Sequence, residues 1–442
     1  MDSEQHITAI NPLAGPLDGS IRVPGDKSIS HRAVLFSAMA EGTSRISGLL
    51  DSGDVRSSIH AVQLLGAHVN LEKQVDGSLA GGITGWGMRG PIQPDCEIDC
   101  GNSGTTVRLL MGLIAPWDIT ACLTGDASLC RRPMRRIVAP LMKMGVHFDP
   151  LGCETLPITE HGSRALHAIT YESPMASAQL KTAVLLAGLG AHGVTTVNEP
   201  APSRNHTELM LPEYGATTTA GYRTASVHGP CVLQAKEVNV PGDPSSAAFL
   251  VCAALLKSGS SLQIEDVSLN TARIGFVRTL ERMGADISVQ RTGIAGKEPY
   301  GIISVRYSDE LRGCEVPAEK LASVIDEVPV LSLVAAHAKG VTVFRHVNEL
   351  KIKESNRLAA IIEGLDQLGI QAWIDGDDLY IEGRPDCAQP SDLVFDAHND
   401  HRLAMTWSLV GLCGSSSVHI IGFESVAISY PTFLETIRGL TA

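Results

Sequence analysis

Three short stretches of the sequence gather positive side chains beside groups that could move a proton. VPGDKSISHR contains Lys27 and Arg32, and LCRRPMRR contains four arginines around one proline. KIKESNRL contains Glu354 together with Lys353 and Arg357, which are four residues apart and are therefore expected on one face of a helix. Arginine forks suit carboxylates and phosphates, and a carboxylate among such cations could act as a general acid or base. If they converge, these stretches predict a site for one or two strongly anionic small molecules.

Polar segments precede six apolar stretches of the chain: DKSISHR, NSGTT, MASAQ, DPSSA, IDE and HNDHR. Their Ser, Thr, Asn and Asp residues are explained by helix capping alone. The cations Lys27, Arg32 and Arg402 are not explained in this way, because a positive charge at a helix start opposes the dipole. An anionic ligand would compensate, so the pattern favours ligand binding over solvated charged faces.

Other chemistries have weaker support in the sequence. GDKS lacks the glycine spacing of a nucleotide phosphate loop, and no nucleophile elbow indicates Ser-His-Asp hydrolysis. HNDHR offers His398 and His401 near Asp396 and Asp400. No other ligand cluster supports a metal there, and the adjacent Arg402 would repel a cation. We therefore expect no metal site.

The elements that must position these residues repeat along the chain. The six apolar stretches are rich in Ala and Leu and predict buried helices. Between them lie amphipathic segments that end in glycine, such as LMKMGVHF, which predict a surface helix followed by a strand. VPGD occurs at 23–26 and again at 240–243. The predicted organisation is six α/β units in two bodies of three, with a boundary near residue 240.

Composition limits the kinds of partner. The 442-residue chain has a formal charge of −13 and only 4% aromatic residues, which argues against non-specific binding to nucleic acid or anionic membranes. The sequence predicts neither a targeting segment nor an apolar run long enough to cross a membrane. The ten cysteines form no Cys-x-x-Cys pair. We expect a soluble, cytoplasmic protein with reduced thiols.

Eight motifs occur in a specific order: VPGDKSISHR, DCGNSGTTVRL, GDASLCRRPM, SPMASAQLKTAVLLAGL, SRNHTE, VIDEVPVL, KIKESNRL and NDHRLAM. This set resembles the 5-enolpyruvylshikimate-3-phosphate synthase (EPSP synthase) family over nearly the whole chain. SPMASAQ and KESNRL are most similar to the bacterial class II branch, whose members are often glyphosate-tolerant.

The resemblance implies the enolpyruvyl transferase fold. This is an α/β (α+β) fold, a two-domain inside-out α/β barrel in which each domain has three βαβαββ repeats. The expected domains are 21–239 and 1–20 plus 240–442, with the active site in the interdomain cleft. It also implies that the first VPGD carries ligand-binding residues, whereas the second caps a structural copy.

The implied activity is transfer of the enolpyruvyl group of phosphoenolpyruvate to the 5-hydroxyl of shikimate 3-phosphate. Phosphate is released by addition–elimination through a tetrahedral intermediate. This step belongs to the shikimate pathway, which leads to chorismate and the aromatic amino acids. No metal or organic cofactor is implied. We expect a monomer, with glyphosate as the inhibitor to test.

The motif match also implies site residues. Shikimate 3-phosphate would be bound by Lys27, Ser28, Arg32, Ser177, Gln179, Arg204, Asp326 and Lys353. Phosphoenolpyruvate would be bound by Lys27, Gly104, Arg132, Gln179, Arg357 and Arg402. The expected base is Asp326, and Glu354 and Lys27 are the candidates for moving the other proton.

Two positions depart from the family pattern. Some members carry a lysine before Thr-Phe-Pro near the C-terminus, where this chain has Ser429 and Tyr430. Tolerant members often have alanine in place of Gly104. A glycine leaves room for the phosphonate of glyphosate, so the expectation of tolerance conflicts with this residue.

Two alternatives remain open on the sequence alone. UDP-N-acetylglucosamine enolpyruvyl transferase shares the chemistry and uses a mobile-loop cysteine, to which Cys130 could correspond. A non-catalytic, anion-binding relative of the fold is the second alternative, and the presence of Asp326, Glu354 and Lys27 argues against it.

Overall fold

The structure, a computed structural model, describes residues 6–152 and 154–441. Its α-helices within these ranges are α1 (Lys27–Met39), α2 (Gly53–Leu64), α3 (Gly104–Ile114), α4 (Ala127–Cys130), α5 (Arg135–Met144), α6 (Ala178–Gly188), α7 (His206–Met210), α8 (Pro244–Leu256), α9 (Gly275–Arg282), α10 (Ala318–Leu321), α11 (Val328–Ala336), α12 (Arg357–Gln367), α13 (His401–Cys413) and α14 (Phe433–Gly439). Short 3-10 helices span Gly87–Arg89, Leu211–Tyr214, Val347–Ile352 and Phe423–Ile428.

The strands of the described residues are β1 (Ile7–Ile10), β2 (Asp18–Arg22), β3 (Thr43–Leu49), β4 (His68–Lys73), β5 (Leu79–Thr84), β6 (Ile98–Asp99), β7 (Thr120–Thr124), β8 (His147–Asp149), β9 (Ile158–His161), β10 (Thr170–Glu172), β11 (Gly193–Asn198), β12 (Thr218–Ala220), β13 (Thr224–Gly229), β14 (Glu237–Asn239), β15 (Ser261–Ser268), β16 (Ile287–Ala295), β17 (Glu298–Arg306), β18 (Glu315–Val316), β19 (Gly340–Phe344), β20 (Gln371–Asp375), β21 (Asp378–Gly383), β22 (Val394–Asp396) and β23 (Val418–Ile421).

The chain divides into two compact units, each built around its own apolar core. Unit 1 comprises the chain up to Val23, Gly242–Gly293 and the chain from Pro299 onward. Unit 2 comprises Pro24–Pro241 and the short segment Ile294–Glu298. The buried apolar side chains form one cluster in unit 1 and a separate one in unit 2.

Each unit contains three small mixed sheets. In unit 2 the strand orders are β14-β3-β5-β4, β6-β7-β9-β8 and β10-β11-β13-β12. In unit 1 they are β16-β17-β15-β2, β18-β19-β21-β20 and the three-stranded β1-β23-β22. Each sheet combines parallel and antiparallel neighbours. In the second sheet of unit 2, for example, β7 pairs in parallel with β6 on one side and antiparallel with β9 on the other. Along the chain, the elements of this repeat come in the order β6, α3, β7, α4, α5, β8 and β9, which is a βαβαββ order with its second helical element divided into α4 and α5.

The strands before the two VPGD segments exchange places between repeats. β2 precedes the first VPGD but pairs in parallel with β15 of the fourth repeat, where Asp18 lies opposite Ser261. β14 precedes the second VPGD but pairs in parallel with β3 of the first repeat. Each of these two sheets is thus completed by a strand that is distant in sequence.

The six apolar stretches form the buried helices α1, α3, α6, α8, α11 and α13, as predicted. Five of the six begin at a side chain that accepts a backbone N–H from the first turn, namely Asp26, Ser103, Ser177, Asp243 and Asp400. Capping therefore accounts for the polar residues at these starts but not for the nearby cations. At 13 residues, α1, α8 and α13 are the longest described helices, and none of the described helices could span a bilayer.

Candidate active site

The first VPGD segment fixes Lys27 at the start of α1. Gly25 is required by a close backbone approach, because a Cβ there would lie 2.0 Å from the Gly48 carbonyl oxygen. Asp26 accepts the Ile29 N–H at 2.8 Å and so caps the helix. Lys27 Nζ donates to Asp54 Oδ2 at 3.1 Å. The sequence interpretation had not included Asp54, which holds the ammonium group from α2.

Arg32 lies one turn further along α1 and is 3% exposed. Its guanidinium donates to Thr207 Oγ1 at 2.8 Å, Thr182 Oγ1 at 2.9 Å and the Ser28 carbonyl at 2.9 Å. Burial lowers the pKa of Arg32 to about 10, and the positive charge of Arg204 acts in the same direction. Arg32 therefore remains charged at neutral pH.

A buried ion cluster supports the start of α6. Lys181 Nζ lies 2.8 Å from Glu199 Oε2 and 2.7 Å from Glu208 Oε1, and all three side chains are buried. The other oxygen of Glu199 accepts the backbone N–H of Ser177 at 2.8 Å. Ser203 also donates to Glu199, at 2.9 Å. The cluster thus joins Ser177 to the segment that carries Arg204.

Gln179 is held by two arginines that the sequence interpretation had not assigned to substrate. Its Oε1 accepts from Arg108 Nη1 at 3.0 Å and from Arg136 Nη2 at 3.2 Å. Its Nε2 donates to Thr105 Oγ1 at 3.0 Å. These bonds fix the orientation of the amide and bring α3, α5 and α6 together at one point.

Gly104 and Arg132 lie beside this group. A Cβ on Gly104 would lie 2.7 Å from Arg108 Nη1 and 3.3 Å from Arg132 Nη1. Arg132 Nη2 donates to Asn102 Oδ1 at 2.7 Å. The glycine therefore gives room to two guanidinium groups at the N-terminus of α3.

Unit 1 holds a second polar cluster, centred on the fully buried Arg357. Its Nε donates to Asp400 Oδ2 at 2.8 Å, its Nη2 to Glu354 Oε2 at 2.6 Å and its Nη1 to Asp326 Oδ1 at 3.1 Å. Burial disfavours the charged form, but the carboxylates of Asp400, Glu354 and Asp326 outweigh it and raise the pKa of Arg357. In turn, Arg357 holds the pKa of the buried Asp400 below its ordinary value despite the opposing effect of burial.

The Asp326 carboxylate faces three cations. Besides Arg357, it lies 3.7 Å from Arg402 Nη2 and 3.9 Å from Lys353 Nζ. Arg402 Nη1 also donates to the Asp326 carbonyl at 3.1 Å. Asp326 thus presents a carboxylate acceptor within hydrogen-bonding or ion-pair distance of positive side chains.

One sequence-based placement is wrong. Lys353 and Arg357 were expected four residues apart on one helix face, but α12 begins at Arg357. Asn356 caps α12 by accepting the Ala359 N–H at 3.2 Å, and Lys353 follows the 3-10 helix Val347–Ile352. The two cations meet at Asp326 because the chain turns between these helices.

The predicted residues divide between the two units. Unit 2 holds Lys27, Ser28, Arg32, Gly104, Arg132, Ser177, Gln179 and Arg204, and unit 1 holds Asp326, Lys353, Glu354, Arg357 and Arg402. Among the described residues, no group of three or more His, Cys, Asp or Glu side chains is arranged for a metal ion. The residues that the sequence interpretation missed include Arg108 and Lys181. Each is a single charge inside an apolar helix, which is a usable signal of a buried partner.

Comparisons with known proteins bear on the whole chain. Residues 13–437 match the family model described as EPSP synthase (3-phosphoshikimate 1-carboxyvinyltransferase). The chain belongs to this family. A 3-phosphoshikimate 1-carboxyvinyltransferase of Pseudomonas sp. (strain PG2982) is 42% identical over 431 residues, covering 96% of this chain and 95% of the relative. One of Acidiphilium cryptum is 44% identical over 433 residues, covering 97% and 96%.

Solved structures agree with this membership. An EPSP synthase from Acinetobacter baumannii superposes with a TM-score of 0.87 at 38% identity, covering 99% of this chain and 98% of that one. The enolpyruvyl transferase NikO from Streptomyces tendae superposes with a TM-score of 0.77 at 20% identity, with the same coverage, which bears on the fold alone. The predicted enolpyruvyl transferase fold is confirmed. The chain is a 3-phosphoshikimate 1-carboxyvinyltransferase of the shikimate pathway, and it transfers the enolpyruvyl group from phosphoenolpyruvate to shikimate 3-phosphate.

Proposed function

We propose that the predicted site residues of unit 1 and of unit 2 act on the same two substrates. Shikimate 3-phosphate is assigned to Lys27, Ser28, Arg32, Ser177, Gln179, Arg204, Asp326 and Lys353. Phosphoenolpyruvate is assigned to Lys27, Gly104, Arg132, Gln179, Arg357 and Arg402. The concentration of arginine and lysine in a chain of net charge −13 supports this assignment, because both substrates are strongly anionic.

The observation that carries the mechanism is the Asp326 carboxylate, which faces Arg357 Nη1 at 3.1 Å together with Arg402 and Lys353. Asp326 takes the proton of the 5-hydroxyl of shikimate 3-phosphate as the hydroxyl oxygen attacks C2 of phosphoenolpyruvate. Glu354 or Lys27 delivers a proton to the methylene carbon, which gives a tetrahedral ketal phosphate. The same group then takes a proton back from the methyl carbon as the C–O bond to phosphate breaks, which forms the enol ether and releases phosphate. The cations stabilise the charge that shifts onto the phosphate.

Finer features of the function are part of the same proposal. We assign the chain to the class II branch and propose that it works as a monomer in the cytoplasm. The nine cysteines that the structure gives as free thiols are compatible with a reducing compartment. Glyphosate is proposed as an inhibitor, since Gly104 carries no side chain that would narrow the phosphoenolpyruvate site.

The substitution Asp326→Ala tests the assignment of the base. The variant is expected to fold and to bind both substrates, because it removes a carboxylate and leaves the surrounding cations in place. Turnover is expected to fall by about 10²–10⁴-fold, the usual contribution of a general base. Phosphate release measures kcat, and calorimetry measures binding of shikimate 3-phosphate.

Asp378→Asn is a matched control, because Asp378 forms another Asp–Arg pair of unit 1, with Arg345 at 2.7 Å. This variant is expected to retain wild-type turnover. Wild-type rates in Asp326→Ala would rule out Asp326 as the base. Assaying both variants with UDP-N-acetylglucosamine in place of shikimate 3-phosphate checks that phosphate release depends on shikimate 3-phosphate.

A further inference from the structure

The second VPGD segment leads into a serine that contacts three charged side chains. Ser245 is the second residue of α8 and is 5% exposed. Its Oγ donates to Glu327 Oε1 at 2.5 Å and accepts from Arg273 Nη2 at 3.0 Å. Arg402 Nη2 lies 3.5 Å from the same oxygen. A hydroxyl has one proton and two lone pairs, so these three partners use its full capacity.

The partners of Ser245 are themselves fixed. Arg273 Nη2 donates to Asp243 Oδ1 at 2.8 Å, and the same oxygen accepts the Ser245 N–H at 2.7 Å. Arg402 Nη1 lies 3.4 Å from Glu327 Oε1. All of these side chains are at most 9% exposed. The contacts are therefore little screened by solvent.

The contacts connect the N-termini of the three buried helices of unit 1. Ser245 lies in the first turn of α8, Glu327 immediately precedes α11, and Arg402 is the second residue of α13. Lys27 of the first repeat has Pro244 as its counterpart in the second VPGD segment, so α8 lacks that cation. Arg273 brings a positive charge to this place from the loop before α9.

We infer that Ser245 is a positioning residue for Arg402, holding its guanidinium in the orientation that receives phosphoenolpyruvate. The inference rests on the proposed assignment of Arg402 to that substrate. The second VPGD segment then serves the reaction by orienting a substrate-binding arginine. From the sequence, we expected the second VPGD segment only to cap a structural copy, and this role is added to that one.

The test separates the two substrates. Ser245→Ala removes the hydroxyl and leaves Glu327, Arg273 and Arg402 without their shared partner. The KM for phosphoenolpyruvate is expected to rise about tenfold, as is usual when hydrogen bonds to charged groups are lost, while the KM for shikimate 3-phosphate changes less than about twofold. Ser245→Thr keeps the hydroxyl and is expected to restore most of the lost affinity.

Ser246→Ala is the matched control, because Ser246 is the next residue of α8 and is also 5% exposed. It is expected to leave both KM values unchanged. A rise of both KM values by the same factor in Ser245→Ala, or no change in either, would overturn the positioning role. So would a Ser245→Thr variant as impaired as Ser245→Ala.

Arg402→Lys separates this inference from the site assignment. If Arg402→Lys raises the KM for phosphoenolpyruvate and Ser245→Ala does not, only the positioning role is overturned. If Arg402→Lys leaves that KM unchanged, the assignment of Arg402 fails, and the role of Ser245 fails with it.

Discussion

Glu160 is a carboxyl group in the core of unit 2. It is fully buried on β9, where Ala121 and Phe148 lie opposite it on the neighbouring strands. Neither of its oxygens has a hydrogen-bond partner within residues 6–152 and 154–441. Burial raises the pKa of Glu160 well above the ordinary value. The folded protein thus retains a proton that the unfolded chain loses at mildly acidic pH.

The substitution Glu160→Gln is expected to stabilise the protein at neutral and alkaline pH. Because folding raises the pKa of Glu160, the wild type has its full free energy of unfolding at pH values below the pKa that Glu160 has in the unfolded chain. Part of this free energy is lost as the pH rises toward the pKa of Glu160 in the folded protein. The stability of the wild type should fall by up to about 1.4 kcal/mol per pH unit in this window, and the variant lacks this slope.

Urea unfolding at several pH values measures the difference. Glu72→Gln is a suitable control, since Glu72 is an exposed residue of β4 in the same unit. The pH dependence of Glu72→Gln should match that of the wild type. Parallel curves for Glu160→Gln and the wild type would contradict the buried, protonated state.

The substitution Gly104→Ala tests the space at the start of α3. The new Cβ would lie 2.7 Å from Arg108 Nη1, so this flexible side chain must move, whereas the helix need not. We expect unchanged or slightly higher stability, because alanine favours helix, together with a roughly tenfold rise in the KM for phosphoenolpyruvate. Inhibition by glyphosate should weaken as well, and steady-state kinetics at fixed shikimate 3-phosphate measures both effects.

Gly53→Ala provides the comparison for this substitution. Gly53 begins α2 as Gly104 begins α3, and a Cβ there meets nothing within 4 Å. Its kinetics should equal those of the wild type. Equal inhibition of Gly104→Ala and the wild type by glyphosate would refute the steric argument.

At the scale of secondary-structure elements, the start of α6 depends on the buried charge of Lys181. Lys181→Met leaves Glu199 and Glu208 buried without their cation, and breaking a buried pair in this way typically costs about 3–5 kcal/mol. Since Glu199 also accepts the N–H of Ser177, affinity for shikimate 3-phosphate should fall. Urea unfolding and calorimetry measure the two effects.

Lys236→Met is the control for Lys181→Met. Lys236 lies 2.7 Å from Glu213, but the pair is 20% and 27% exposed, so its loss should cost at most about 1 kcal/mol. The proposed role of the buried cluster fails if the two lysine variants lose stability equally. It also fails if Lys181→Met binds shikimate 3-phosphate as the wild type does.

Local patterns were sufficient to predict many of the elements. The six buried helices follow from long Ala- and Leu-rich runs with a capping residue in front, as at Ser103 and Asp400. The exchange of β2 and β14 could not be predicted in this way. Both VPGD segments offer the same local pattern, and only the completed sheets decide which strand pairs where.

The site was predictable only in part, for a related reason. Residue type identified Arg357 and Asp326, but the turn between Lys353 and Arg357 depends on the cap at Asn356. The two arginines that hold Gln179 come from α3 and from the start of α5. Nothing in the sequence near position 179 reveals such partners, because they are 71 and 43 residues away.

At the scale of the whole molecule, the two separate cores predict two separable responses to a core mutation. Ile10 of β1 belongs to the core of unit 1, and Ile83 of β5 to that of unit 2. Both side chains are fully buried, and replacing either with alanine should cost about 2–5 kcal/mol. Ile10→Ala is expected to accelerate amide exchange in α8, α11 and α13 more than in α1, α3 and α6.

Ile83→Ala should give the opposite distribution, so each variant is the control for the other. Hydrogen–deuterium exchange followed by mass spectrometry resolves the helices as separate peptides. Equal acceleration throughout the chain in both variants would mean that the molecule opens as one cooperative body.

The order of the strands also sets an order of events during synthesis. β1 is made early, yet Ile7 pairs with Ile421, and β2 must wait for β15. At translation rates of roughly 5–20 residues per second, the partner of β1 emerges tens of seconds later. The continuous stretch Pro24–Pro241 of unit 2 is complete well before that. β1 and β2 therefore stay unpaired while the intervening chain is made, so strands that are translated early are among the last to pair.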